Sequence, residues 1–425
     1  MPPSSSKVAA SKSENEKIPY VNRDYLLDTE YVVKVAKTLL TPIGIWPRDG
    51  DDSPRSVTIF WMRIVAVFSL MLCLLVPHFT WTFFKAEDLR KLMKIIAAMV
   101  FSSLAVLKYW NMIFTKKDIR ACLETMEDHY RLVESEEARQ IMLKNAKIGR
   151  LFTVAYLSLS YGGALPYHII MPLLQPRVLR QSDNSSMIPL PYPSEYVFFI
   201  VEDPPLYQIV FVGQILISSI ILTTNTGVYS LIACIVMHCC CLFEVTGHKL
   251  ERLLDGRSYD KRAVRPDLVK RLVDIVDYHN EAIAYADTIE NCLNIVMLSE
   301  MGGCTLIICF LEYGILQDLE DADYLGMMTY GVLMTSIFVN VFILSFIGDK
   351  VREQSELIGN SMYSIQWMDL PNDFALKNVK FIIARANQPT RLTAGKLFDL
   401  SLQGFCDVAK TSMAYLNFLR TLEIT

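Results

Sequence analysis

The chain has 425 residues, 52% of them hydrophobic, with a mean hydropathy of +0.29 and a formal net charge of −4. That is too apolar for soluble domains of ordinary composition, and the 20% of charged residues bunch between long uncharged stretches, as repeated bilayer crossing requires. No basic stripe with interleaved aromatics occurs, so a nucleic-acid partner is excluded, and the small net charge names no other partner.

Residues 1 to 20 are rich in Ser and Lys and hold no apolar run, so no cleavable leader is expected and segment 1–56 is assigned to the cytosol. A hydrocarbon core of about 30 Å takes roughly 20 helical residues. By that measure spans are predicted at 57–84, 93–114, 150–174, 206–238, 293–316 and 324–348, with Arg63, Lys108 and Glu300 as the charges inside them. Lys108, next to Tyr109 and Trp110, reads as an interface anchor; Glu300, near Gly302 and Gly303, reads as an acid early enough in its span to reach the inner interface. A seventh span, 397–422, is less apolar and carries Asp399, Asp407 and Lys410. The expected fold class is an all-α membrane protein with six transmembrane helices over 57–348, a cytosolic anchor over 349–396 and a seventh helix with the carboxyl end over 397–425.

Lys and Arg number 28 in the segments on the amino-terminal side of these spans and 7 on the other, which puts the amino end inside and the carboxyl end outside. The one Asn-x-Ser/Thr sequon, Asn184-Ser185-Ser186, falls in the 175–205 loop assigned to the outside, making Asn184 a candidate glycosylation site. This orientation is inverted relative to a G-protein-coupled receptor, and the Asp-Arg-Tyr and Asn-Pro-x-x-Tyr motifs of that class are absent. The run Leu206–Phe243 has 38 residues without a formal charge, about 57 Å of helix, so it overshoots the hydrocarbon. It is expected to tilt or continue toward an amphipathic segment, 268–291, in which Leu268, Leu272, Ile275, Val276, His279 and Ile283 share a face.

No convergent nucleophile, acid and base occurs, no two histidines have zinc-helix spacing, and neither an enzyme nor a cofactor nor a metal is expected. Cys239-Cys240-Cys241 beside His238 suits the inner end of a span better than a metal or lipid anchor, and none of the ten cysteines is placed for an extracellular disulfide.

Helical spacing in the outer half of the bundle picks out candidate ligand-binding residues: Met99 and Ser103 on the second span, Tyr161, Leu165 and His168 on the third. The fourth adds Tyr207, Phe211, Gln214 and Ser218, and the sixth Met327, Tyr330 and Met334. Aromatics, methionines and a few hydroxyls suit a closed pocket for a small apolar molecule; ordinary helix packing is the alternative for each. On the seventh span Asp407, Thr411, Tyr415, Phe418 and Leu422 follow at steps of four or three, a polar stripe ending in bulky apolar side chains. Such a helix suits a water-filled path closed by a greasy constriction, which takes several copies around an axis. Asp318, Glu320, Asp321 and Asp323 crowd the loop after the fifth span and could concentrate cations at a mouth, or be a solvated turn.

The carboxyl-terminal run Glu353, Ser355, Tyr363, Trp367, Arg385, Pro389, the Leu392-Thr393-Ala394-Gly395-Lys396 block, then Leu402, Phe405, Lys410, Thr411, Ser412, Tyr415, Leu419 and Arg420 resembles the signature of the insect odorant receptors. Tyr278, His279, Ile289 and Glu290 also resemble that family, and Ile45-Trp46-Pro47 is similar to its ant, bee and wasp members. The resemblance implies a ligand-gated, poorly selective cation channel in the plasma membrane of olfactory sensory neurons. It would be a heterotetramer with the family's obligate co-receptor. The chain looks like the odorant-tuned subunit, because the segment between its fourth and fifth spans lacks the co-receptor's long insertion. By the same resemblance the pocket lies in the outer half of the second, third, fourth and sixth spans. The seventh would line the pore beside Tyr415, with a gate at Phe418, Thr421 and Leu422. The related gustatory receptors fit poorly at Ala414-Tyr415, Thr421 and Leu422. A secondary transporter or a seven-helix receptor without a pore are the other readings; no internal repeat supports the former.

Overall fold

The computed structural model describes residues 20–47, 53–84, 89–174, 177–179, 186–196, 201, 205–254, 266–365, 377–378 and 380–424. The sequon at Asn184 lies outside them, as do the side chains of Leu165 and Leu422. The described chain is mostly helical: α1 (Tyr25–Leu40), α2 (Pro54–Phe84), α3 (Leu89–Phe114), α4 (Lys116–Arg131), α5 (Glu136–Leu174), α6 (Leu206–Glu251), α7 (Pro266–Glu320), α8 (Tyr324–Ser364), α9 (Lys380–Ala386) and α10 (Leu402–Ile424). Two antiparallel ribbons of two-residue strands interrupt it, β1 (Val178–Leu179) with β2 (Ser186–Met187) and β3 (Thr393–Ala394) with β4 (Phe398–Asp399).

Among the described residues five helices, α2, α3, α6, α7 and α8, contain stretches long and apolar enough to cross a membrane. α5 packs against α6 and α8, and α10 against α7 and α8. The bundle is organised around α6, which from Thr224 to Phe243 is buried at every position and touches α1, α2, α3, α5, α7 and α8. Its uncharged composition follows from that placement: with neighbours on all sides, no face of it meets water. α6, α7 and α8 run for 46, 55 and 41 residues, about 60 to 80 Å each, so all three extend well past a 30 Å core. The amphipathic segment 268–291 is the first half of α7, continuous with the fifth span; Leu268, Leu272, Ile275 and His279 are buried, and Val276 and Ile283 pack against the core. The bundle thus has an anchor end, where α1, α4, α9 and the projecting parts of α6 to α8 gather, and a loop end crossed by residues 186–196. All ten cysteines are free.

Two polar contacts tie the anchor end together. Arg139 of α5 makes two bonds to the Asp28 carboxylate of α1, at 2.7 and 3.0 Å, and His129 Nδ1 of α4 lies 2.9 Å from His238 Nε2 of α6. The seventh helix was expected from 397 but starts at Leu402. Gly395 and Lys396 take positive φ, 62° and 60°, and fold the Leu392–Lys396 block into the β3–β4 hairpin. This hairpin docks on one face of α7: Thr393 N–H donates to Glu290 Oε2 at 2.8 Å and Gly395 N–H to the Asn294 carbonyl at 3.0 Å. A Cβ at Gly395 would fall 2.5 Å from Leu298, so both the backbone angle and the close approach require glycine. At the other end of α7, Asp318 is buried and Asp323 caps α8 by accepting from Gly326 N–H at 3.0 Å. Only Glu320 and Asp321 of the acidic set are left as surface charges without such a structural task.

Lys108 and Glu300 depart from the interface positions expected of them. Neither reaches an interface: they are 2% and 4% exposed and form an ion pair, Lys108 Nζ to Glu300 Oε2 at 2.5 Å. Lys108 also donates to Asn225 Oδ1 of α6 at 2.9 Å, and Asn340 Nδ2 of α8 donates to Glu300 Oε1. Gly303 makes the pair possible, since a Cβ there would meet Leu104 at 2.6 Å. α3 and α7 run in opposite directions, so Lys108, four residues after Leu104, arrives opposite Glu300, three residues before Gly303.

Removing one member strands a buried charge. Lys108→Met should destabilise the detergent-solubilised chain by about 3–5 kcal/mol, and the Lys108→Met, Glu300→Met double variant should recover most of that loss in denaturant melts. His279, buried beside Phe243 in the anchor with Arg385 near it, is held down from 6.5 to about 4. Between those values the unfolded chain takes up a proton that the folded chain refuses, so stability falls as pH drops from 6.5 toward 4. Melting across that window should show the fall, and His279→Leu should make it shallower.

Candidate functional site

A cavity of about 80 Å³ opens inside the loop-end half of the bundle. Its walls come from five helices: Ala97, Ala98 and Phe101 of α3, Ser160, Ala164, Tyr167 and His168 of α5, and Leu222 of α6. α7 adds Ile307 and Leu311, and α8 Tyr330, Leu333, Ser336 and Ile337. The space exists because three alanines and two serines point to where a packed bundle would put bulky side chains. At its far side the Ser160 and Ser336 hydroxyls lie 3.0 Å apart and join α5 to α8.

A loop residue closes the loop end. Tyr192 is 5% exposed; its hydroxyl meets His168 Nε2, and its ring stands 5.2 Å from His168 and 5.4 Å from His78 of α2. Gln214 holds its backbone from both sides, accepting from Tyr192 N–H at 3.0 Å and donating to the Tyr192 carbonyl at 3.2 Å. Three residues on, Glu195 N–H donates at 2.9 Å to the carbonyl of Pro77 in α2. Pro191 and Pro193 flank the tyrosine and bias the segment toward an extended path. The strap therefore spans α2, α5 and α6 with Tyr192 as its plug.

Of the twelve side chains expected at a pocket, His168 and Tyr330 line this cavity. Met99 and Ser103 do not: Ser103 is on the exposed face of α3, bonded to the Met99 carbonyl. Tyr161 bonds Thr223 at 2.8 Å between α5 and α6. Tyr207 donates to the Ile188 carbonyl and so braces the loop, with the Phe211 ring 6.0 Å from its own. Gln214 serves the strap, and Ser218 is buried against the Ile215 carbonyl at 2.9 Å. Met327 and Met334 are half-buried in α8 without lining the space. On α3 the difference is a single position, Met99 in place of Ala98, which on a helix is a turn of about 100°. Tyr192 was missed altogether; the Pro-Tyr-Pro sequence was the signal.

α10 presents two faces. Val408, Ser412 and Leu416 are buried, Phe405 packs edge-on against Phe342 at 5.6 Å, and Ser412 Oγ lies 3.4 Å from Glu312 Oε1. The other face holds the expected stripe: Asp407, Thr411 and Thr421 are exposed, Tyr415 is 48% and Phe418 61% exposed.

The fold matches the olfactory receptor OR5 of Machilis hrabei in complex with eugenol, with a TM-score of 0.76 and 16% identity, covering 94% of this chain and all of that one. A second structure of the same receptor matches at a TM-score of 0.74. Odorant receptor 13a of Drosophila melanogaster is 25% identical over 214 residues, 48% of this chain, and the chain spans about half of that relative's length (50%). Odorant receptor 9a of the same fly is 20% identical over 390 residues, 90% of this chain and 93% of the relative. The profile of the 7tm odorant receptor family matches residues 88–413. The chain is a multi-pass membrane protein with that family's seven-helix fold, in which α5 and α10 complete the set of spans, and it belongs to the 7tm odorant receptor family of insects.

Proposed function

We propose that this chain is the odorant-tuned subunit of a ligand-gated, non-selective cation channel. The amino end is cytosolic and the carboxyl end extracellular, in agreement with the 28 to 7 distribution of Lys and Arg. The observation that carries the proposal is the cavity: walled by five helices, mostly apolar, and covered at the loop end by Tyr192. The matching Machilis hrabei receptor is in complex with a small molecule, eugenol.

The channel part rests on α10. Among the described residues its Asp407, Thr411, Tyr415 and Phe418 face is exposed, while its other face is packed on α7 and α8. Four such helices around an axis, from this chain and an obligate co-receptor of the same family, enclose a path that is polar near Asp407 and Thr411 and narrowed by Phe418, with Thr421 and Leu422 beyond. α7 and α8 supply both cavity wall and the α10 contact, so a ligand that favours one packing of these helices also biases the pore. The anchor end would hold the subunits together below the membrane. The seat of this activity is the plasma membrane of olfactory sensory neurons.

Cells expressing the chain with the co-receptor should give odorant-evoked current carried by monovalent and divalent cations. Phe418→Ala and Leu422→Ala should each raise current in the absence of ligand; unchanged gating and permeation in both removes the pore assignment.

A further inference from the structure

The cavity is not uniformly apolar, and its polar atoms are not equally satisfied. At the far side Ser160 and Ser336 bond each other at 3.0 Å. At the loop end Tyr192 and His168 also bond each other. Between the plug and the apolar body stand Tyr167 and Tyr330, with ring centroids 6.5 Å apart and Tyr167 5.4 Å from His168. Both line the cavity, and among the described residues neither hydroxyl has a hydrogen-bond partner. A hydroxyl on a cavity wall with no protein partner has a donor to spare, and a ligand atom that accepts from it gains a hydrogen bond. Everything else from there to the serines, Ala98, Ala164, Leu222, Ile307 and Leu333 among them, offers only carbon. Ser160 lies seven residues before Tyr167 on α5, and Ser336 six after Tyr330 on α8, so this apolar stretch is about 10 Å long.

We propose that the cavity selects an elongated apolar molecule carrying a single acceptor oxygen at one end, with that oxygen at the Tyr167 and Tyr330 hydroxyls and the hydrocarbon body running toward Ser160 and Ser336. This rests on the cavity being the odorant site. The two phenols are specificity-determining residues: they discriminate an aldehyde, ketone or ester from a hydrocarbon of the same length. A pure hydrocarbon fills the body equally well and leaves both hydroxyls unpaired.

The test compares methyl ketones of seven to eleven carbons with alkanes of equal heavy-atom number, on the full chain co-expressed with the co-receptor. The half-maximal concentration of evoked current is read together with surface expression. The best ketone should be about tenfold more potent than its matched alkane. Tyr167→Phe with Tyr330→Phe keeps both rings in place; it should bring the ketone to within about twofold of the alkane. Equal potency in the unmodified chain, a ketone preference that survives the double variant, or a lack of response to every ketone overturns the proposal. Ala98→Leu, which fills the cavity, separates this from failure of the site itself. If ketone and alkane are equal but Ala98→Leu abolishes both responses, only the ligand class falls; if responses persist unchanged in a normally expressed Ala98→Leu chain, the cavity is not the site and both fall.

Discussion

A lysine and a glutamate paired inside hydrocarbon constrain the whole bundle. Neither charge is tolerable alone at that depth, so α3 and α7 must meet with Lys108 opposite Glu300, and α6 and α8 must bring Asn225 and Asn340 to the remaining bonds. Four helices are therefore fixed in rotation and height by one polar cluster. The same four, with α5, form the cavity wall. The cluster sits one or two helical turns on the anchor side of that wall: Asn340 follows Ser336 by four residues, Asn225 follows Leu222 by three, and Glu300 precedes Ile307 by seven. Asn225 also donates to the carbonyl of Phe101, a wall residue, at 3.2 Å. The pair makes a rigid floor for the cavity above it.

Above that floor the packing is deliberately incomplete. Alanines and serines at the wall leave the volume open, and the strap closes it with one tyrosine held by His168, Gln214 and the carbonyl of Pro77 through Glu195. The closure consists of a few hydrogen bonds and one buried ring in a loop, in contrast to the helix packing around the floor. Local opening is expected where bonds are few, so the strap end is where the cavity opens most readily, while the floor stays closed. The 55-residue α7 then runs from cavity wall to anchor, where its Glu290, Asn294 and Leu298 face receives the hairpin that leads into α10. Cavity, anchor and seventh helix are thus mechanically continuous through one element.

The spans were legible because length and hydropathy are strong signals over twenty or more residues, and five of them meet that measure in the structure. The two faces of α10 were legible for the same reason: a polar stripe at helical spacing stands out against an apolar background. The start of α10 was not, because the left-handed residues Gly395 and Lys396 end the extended segment in a hairpin that hydropathy does not register. Lys108 and Glu300 each looked like an interface residue, since pairing across 192 positions of sequence cannot be read from either neighbourhood. The cavity was the least legible part. Pockets are lined by what leaves room, and the search for aromatics and methionines passed over Ala97, Ala98 and Ala164 while selecting Gln214 and Tyr207, which hold the loop.

Accessibility along α10 tests the channel account most directly. In a Cys73→Ser, Cys406→Ser background, which removes the exposed thiols, single cysteines at Thr411, Tyr415 and Phe418 should react with a water-soluble cationic thiol reagent and block the evoked current, faster when odorant is present. Cysteines at Val408, Ser412 and Leu416 should stay unmodified. Block from the second set, or from neither, would mean that ions take another path and that this helix faces lipid.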